Sequence, residues 1–154
     1  MTKARNPIIL FHFDYAAFAL KNRKRLKHFI ARIFESKKKN LAGLTYVFTT
    51  DRYLLKINRK YLDHDFYTDV IAFDLSETPA HVQGEIYISM NRVRQNASIF
   101  KVSLSEELHR VMFHAALHLC GYGDKTAGEK ETMKKEEDRY LAQYFKLFHV
   151  KQST

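Results

Sequence analysis

The stretch HAALHLCGYGDK, from His114 to Lys125, constrains this chain more than any other. Leu104, Leu108, Val111, Met112, Ala115 and Leu119 approach and enter it at spacings that leave a helix apolar around most of its circumference. That helix is expected to be central and buried. His114 and His118 fall one turn apart on a single face of it, where two imidazoles can converge on one ion. Gly121 supplies a residue that ends a helix in a left-handed cap, and the reversal it permits brings Asp124 back as a third ligand. Three protein ligands leave an open position on the ion, as catalytic centres do. Ser103 or Ser105 is placed to cap the start, with Glu106 and Glu107 in the first turn.

His-x-x-x-His-x-x-Gly-x-x-ligand is the metzincin spacing, with two departures here. Asp124 stands for the third His, and Ala115 stands for the Glu that serves those peptidases as base. Alanine cannot take a proton, so the metal cradle is kept while the peptidase base is missing.

The same residues resemble the signature of the YbeY family of bacterial rRNA maturation factors, His-Gly-x-Leu-His-Leu-x-Gly-Tyr-Asp-His. Leu117, His118, Leu119, Gly121 and Tyr122 match it, while Ala115 replaces its Gly, Gly123 its Asp and Asp124 its third His. Two further segments extend the likeness. NRKYLDHDFYTDVIAFD, from Asn58 to Asp74, is similar to the family's Asn-x-x-Tyr-Arg…Thr-Asp-Val-Leu-Ser-Phe run, and GEIYIS is similar to its Gly-Asp-Ile strand. Together the three cover roughly residues 40–140 in the family's order. The resemblance implies a zinc-dependent, single-strand-specific endoribonuclease of ribosome biogenesis, acting at the 3′ end of 16S rRNA, with one Zn2+ held by His114, His118 and Asp124. It also implies a catalytic Arg, which aligns with Leu62; Arg59, three residues earlier on the same helix face, is the candidate for that role.

At 154 residues, 45% of them hydrophobic, residues 1–154 are expected to form one domain with a substantial core. No apolar run has the length of a membrane span, and the N-terminus lacks a secretory pattern. The single cysteine, Cys120, forms no internal disulfide, which fits a reducing cytoplasm. It lies two residues past His118, off the metal face, and is expected to pack in the core. The formal charge of +9 is uneven: residues 1–40 hold 11 Lys and Arg against Asp14 and Glu35, and the remainder holds 15 of each sign. Such an excess suits a polyanion; charge alone leaves RNA and anionic membrane both open.

Taken in order, Ile8–Phe11 reads as a strand, and a helix from Tyr15 through Phe34, capped by Asp14, carries Lys21, Lys24, Arg25, His28 and Arg32 on its polar side. Lys21, Lys24, Arg25 and Arg32 are the candidate RNA contacts. Leu44–Thr50 is a second strand, Asp51 caps the next helix, and Thr68–Asp74 and Gly84–Ser89 are the third and fourth strands. A helix follows from Met90, with Arg92 and Arg94 as further phosphate candidates. Met133, Tyr140, Leu141, Tyr144, Phe145 and Phe148 mark a last amphipathic helix behind the site. Four strands and about five helices predict an α+β domain with a small mixed sheet and the metal helix against one face. A metal-dependent endoribonuclease is the leading expectation; a non-catalytic RNA- or ribosome-binding factor with a structural metal is the rival.

Overall fold

The computed structural model describes residues 6–14 and 18–152, with side chains as far as Lys146. Four strands, β1 (Ile8–Phe13), β2 (Leu41–Thr49), β3 (Val70–Asp74) and β4 (Val82–Ser89), form one sheet in the order β1-β2-β4-β3. β1, β2 and β4 run parallel, and β3 is antiparallel to β4. The helices are α1 (Arg23–Ser36), α2 (Asp51–Tyr61), α3 (Met90–Phe100), α4 (Leu104–Leu119) and α5 (Ala127–Gln152). The expected mixed-sheet α+β architecture is therefore the observed one.

Strand alternation sorts the helices. Leu44, Tyr46 and Phe48 of β2, Ile86 and Ile88 of β4 and Val70 and Ala72 of β3 face the main core, which they share with α1, α3, α4 and α5. Ile71, Phe73 and Tyr87 point the other way and pack with Leu54 and Ile57 of α2. α2 thus lies alone on its face of the sheet among the described residues. α4 is the central helix: Met112, Phe113, Ala115, Ala116 and Leu117 are wholly buried, and the Tyr46 hydroxyl donates to the Met112 carbonyl at 2.9 Å. Its C-terminal end presses on β4 at Gly84, where an added Cβ would stand 2.6 Å from a Leu119 methyl and 3.2 Å from the Phe73 carbonyl oxygen.

Two expected helix starts are displaced. Asp14 does not cap a helix: its N–H donates to the Phe48 carbonyl at 2.9 Å, prolonging the β1–β2 pairing, and its carboxylate pairs with His12. Tyr15 lies outside the described residues. Phe18 packs its ring on Phe13 and Phe48 from a non-helical segment, and the helix begins only at Arg23, after Asn22 with φ 56°. Asn tolerates that left-handed conformation, and apolar residues at helical spacing here pack without a helix. In α2 the cap is Thr50, whose hydroxyl accepts from the Tyr53 N–H. Asp51 instead accepts from the Ser89 hydroxyl at 2.9 Å and the Arg92 guanidinium at 3.1 Å, joining the starts of α2 and α3. Ser103 caps α4 as expected, accepting from the Glu106 N–H.

Candidate metal centre and its cleft

α4 delivers two of the three candidate ligands and its own ending delivers the third. Cys120 closes the helix, Gly121 follows with φ 102°, its N–H donating to the His118 carbonyl, and the Tyr122 N–H donates to the Leu117 carbonyl, both at 3.0 Å. This paired closure is the Schellman arrangement, and it turns the chain back along the helix. Past it, Thr126 and Glu129 cap α5 reciprocally, each side chain accepting the other's backbone N–H. Asp124 is pinned between the two closures.

The result is a compact triangle. His114 Nε2 and His118 Nε2 are 3.0 Å apart, and Asp124 Oδ2 lies 3.4 Å from the first and 3.2 Å from the second. Ligands at about 2.0–2.1 Å from a tetrahedral zinc stand about 3.3 Å from one another, so one ion fits this set without rearrangement of the backbone. Sequence spacing predicted these three side chains, and the structure brings all three together.

A residue that the sequence reading missed completes the set. Glu137 of α5 is buried, and its Oε2 accepts from His114 Nδ1 at 2.5 Å while its Oε1 accepts from Arg110 at 3.0 Å. That bond leaves the His114 Nε2 lone pair for an ion and fixes the ring's orientation. Burial by itself would lower the proton affinity of His114; the Glu137 bond, with the charges of Glu137, Asp124 and Asp69, outweighs it and holds the imidazole above its ordinary range.

The triangle opens on a cleft of about 610 Å³ between α4 and the α2–β3 loop, lined by Leu62, His64, Phe66, Asp69 and Lys125 among others. Burial raises the Asp69 carboxyl above the usual carboxylate range, with His114 pulling it back down. A second cavity, between α4 and α5, carries Glu107, Arg110 and Met133 behind His114. Met133 is core there, as expected, and so is Cys120, whose buried thiol is pushed up to about 11.

The other expected residues lie elsewhere. Arg59 pairs with Asp65 and lines a separate cavity over α2, so the structure does not bring it to the metal cleft. Lys21 precedes α1 rather than riding on it, while Lys24, Arg25 and Arg32 are on α1, which contributes no residue to the cleft lining. Lys37, the residue that closes α1, adds no free cation to that helix, being drawn inward to Glu136 at 2.9 Å. Arg92 is occupied by Asp51 and stacks on Tyr67. Arg94 lines a cavity with Lys21, Leu104 and Tyr144. Phe148, expected in the α5 stripe, has its side chain outside the described residues.

A His–His–Asp group that could hold a metal ion, beside a broad cleft and with Ala115 where the metzincin peptidases carry their base, is the candidate centre of a metal-dependent hydrolase. The comparisons with known proteins give the particular family. The family model described as Endoribonuclease YbeY matches residues 14–145, and this chain belongs to that family. Among relatives of that name, one from Cytophaga hutchinsonii is 42% identical over 134 residues, covering 87% of this chain and 94% of the relative. Another, from Flavobacterium psychrophilum, is 43% identical and covers 94% of this chain and 100% of the relative. A solution structure of a protein from Thermotoga maritima shares the fold, with a TM-score of 0.63 at 22% identity over 94% of this chain and 93% of that one. By its family the chain is an endoribonuclease.

Proposed function

We propose that the chain cuts single-stranded ribosomal RNA during ribosome maturation, in the cleft between α4 and the α2–β3 loop, using one zinc ion. The observation that carries the reading is the His114–His118–Asp124 triangle opening on that cleft in a chain of endoribonuclease family. Two imidazoles and a carboxylate are a donor set that suits zinc. When bound, such an ion supplies a Lewis acid that polarises a phosphoryl oxygen and offsets the charge gained at phosphorus in the transition state.

The chain's own groups supply the rest. Glu137, itself held by Arg110, keeps the His114 ring in one orientation. Asp124 adds a negative charge where the peptidases have a neutral His, which moderates the pull of the site on electrons. Asp69 and Asp74 are the carboxylates of the cleft outside the metal set; hydrogen bonds with Ser76 hold Asp74 below the usual carboxylate range, whereas the raised proton affinity of Asp69 suits it to take a proton from the attacking hydroxyl. That hydroxyl is either a water or the 2′-hydroxyl of the substrate, and a 2′,3′-cyclic phosphate among the products marks the second route. Lys125 at the cleft offers a cation to a phosphate. Lys21, Lys24, Arg25 and Arg32 supply longer-range attraction for the polyanion. A cytoplasmic, ribosome-associated setting follows from the substrate; among the described residues no helix is long and apolar enough to cross a membrane.

His114→Ala tests the reading. Cleavage of single-stranded RNA is expected to vanish while salt-sensitive RNA binding persists. Unchanged cleavage sinks the catalytic reading, and loss of binding along with cleavage in a folded variant favours the binding factor with a structural metal.

A further inference from the structure

The RNA contacts expected from charge lie on α1 or just before it, yet the cleft is bordered by the loop that follows α2. Among the described residues four of the five exposed aromatic side chains, Tyr53, Tyr61, Phe66 and Tyr67, belong to α2 and that loop; the fifth is Phe100. Arg52, Lys56, Arg59 and Lys60 are interleaved with them, all exposed and on the side of α2 away from the buried Leu54 and Asn58. These cations span about 12 Å of helix. Arg52, Lys56 and Lys60 make no ion pair among the described residues; Arg59 is held by Asp65, and Lys60 sits 5.2 Å from the Tyr61 ring. Of the acids nearby, Asp51 is engaged by Arg92 and Ser89, and Asp63 stands exposed on the loop.

This surface is continuous with the metal cleft. Leu62, His64 and Phe66 line the cleft, while the next residue, Tyr67, lines the cavity over α2 together with Arg52, Tyr53, Lys56, Arg59 and Lys60. Adjacent residues of one loop therefore serve both. Arg92 stacks on the Tyr67 ring with its guanidinium carbon 4.8 Å from the centroid, holding that ring in place.

We propose that the outer face of α2 and the 62–67 loop form a stacking platform for single-stranded RNA that feeds the strand into the metal cleft. Tyr53 and Tyr67 offer ring faces to bases, and Arg52, Lys56 and Lys60 meet the phosphates between them. Duplex RNA has its bases stacked on one another and cannot use such rings, so the platform selects unpaired strand. An apolar protein partner would not call for unpaired cations between the rings. This inference rests on the reading of the protein as a single-strand endoribonuclease and adds where the strand lies outside the cut site.

The test compares Tyr53→Ala/Tyr67→Ala with Arg52→Gln/Lys56→Gln in the full chain, with EDTA present to stop cleavage. Binding to a short unstructured RNA and to a duplex of the same length is followed by fluorescence anisotropy over a salt series, and folding by thermal melts. The aromatic pair is expected to weaken single-strand binding by about tenfold or more, leaving duplex binding and salt slope as in wild type. The cation pair is expected to flatten the single-strand log–log slope by roughly 1.4, about 0.7 for each phosphate that is no longer neutralised. A folded aromatic variant that binds single strand like wild type, or is weakened equally toward single strand and duplex, overturns the platform. So does a cation pair with an unchanged slope. Failure of the parent reading looks different: in a parallel assay with zinc supplied and no EDTA, wild-type protein would leave RNA uncut, whatever these variants bind.

Discussion

Glu137 shows what a linear sequence hides at the scale of a residue. His114 and His118 announce themselves by helical spacing, and Asp124 by the glycine turn before it, because these signals are local. The side chain that orients His114 comes from another helix, 23 positions later, within a run of charged residues that reads as solvated surface. Arg59 is the converse case. Helical spacing put it on a plausible face, but the loop after α2 bends so that Asp65 captures it and Leu62 takes the place at the cleft. Removing the charge of Glu137 should loosen the ion without unfolding the chain: Glu137→Gln is expected to weaken metal affinity by about 10–100-fold in a competition titration, with a native circular dichroism spectrum. Wild-type affinity in that variant would leave the His114 orientation to some other group.

At the scale of elements, α4 was the most legible part of the chain because its apolar positions, Ser103 cap and Gly121 stop all agree. α1 was the least, since Phe18 and Leu20 reach the core from an irregular segment that imitates helical period. α4 also buries an acid at its start. Burial, then the charge of Asp69, push Glu107 up from 4.5 to about 7, with Arg110 opposing and Glu137 adding further repulsion. The folded state therefore keeps a proton that the unfolded chain releases above about 4.5, so the stability from protonated Glu107 is full below that pH and lost as pH rises through about 7. Glu107→Gln keeps the neutral form at every pH. Its melting temperature is expected to exceed that of wild type at pH 8 and to approach it at pH 4.5, as scanning calorimetry would show; an equal gap at both would remove Glu107 from the pH response.

Across the whole molecule, strand count, sheet type and the buried helix that carries the two histidines followed from sequence, while the distribution of charge misled by averaging. Residues beyond position 40 sum to zero, yet that sum merges the cationic face of α2 with the acids between Asp63 and Glu85, a stretch that holds no Lys or Arg. Only folding separates them, placing Arg52, Lys56 and Lys60 around the cavity over α2 and Asp69 and Asp74 in the metal cleft. The proposed chemistry requires Asp124 to join the two histidines around one ion, since that sets the open position at the cleft. Elemental analysis of metal in protein purified without added metal, wild type beside Asp124→Ala, tests it most directly. About one zinc per chain in wild type, and a clear drop in the variant, is the expected result. A folded wild type without metal, or an Asp124→Ala protein that retains its full equivalent, would contradict it.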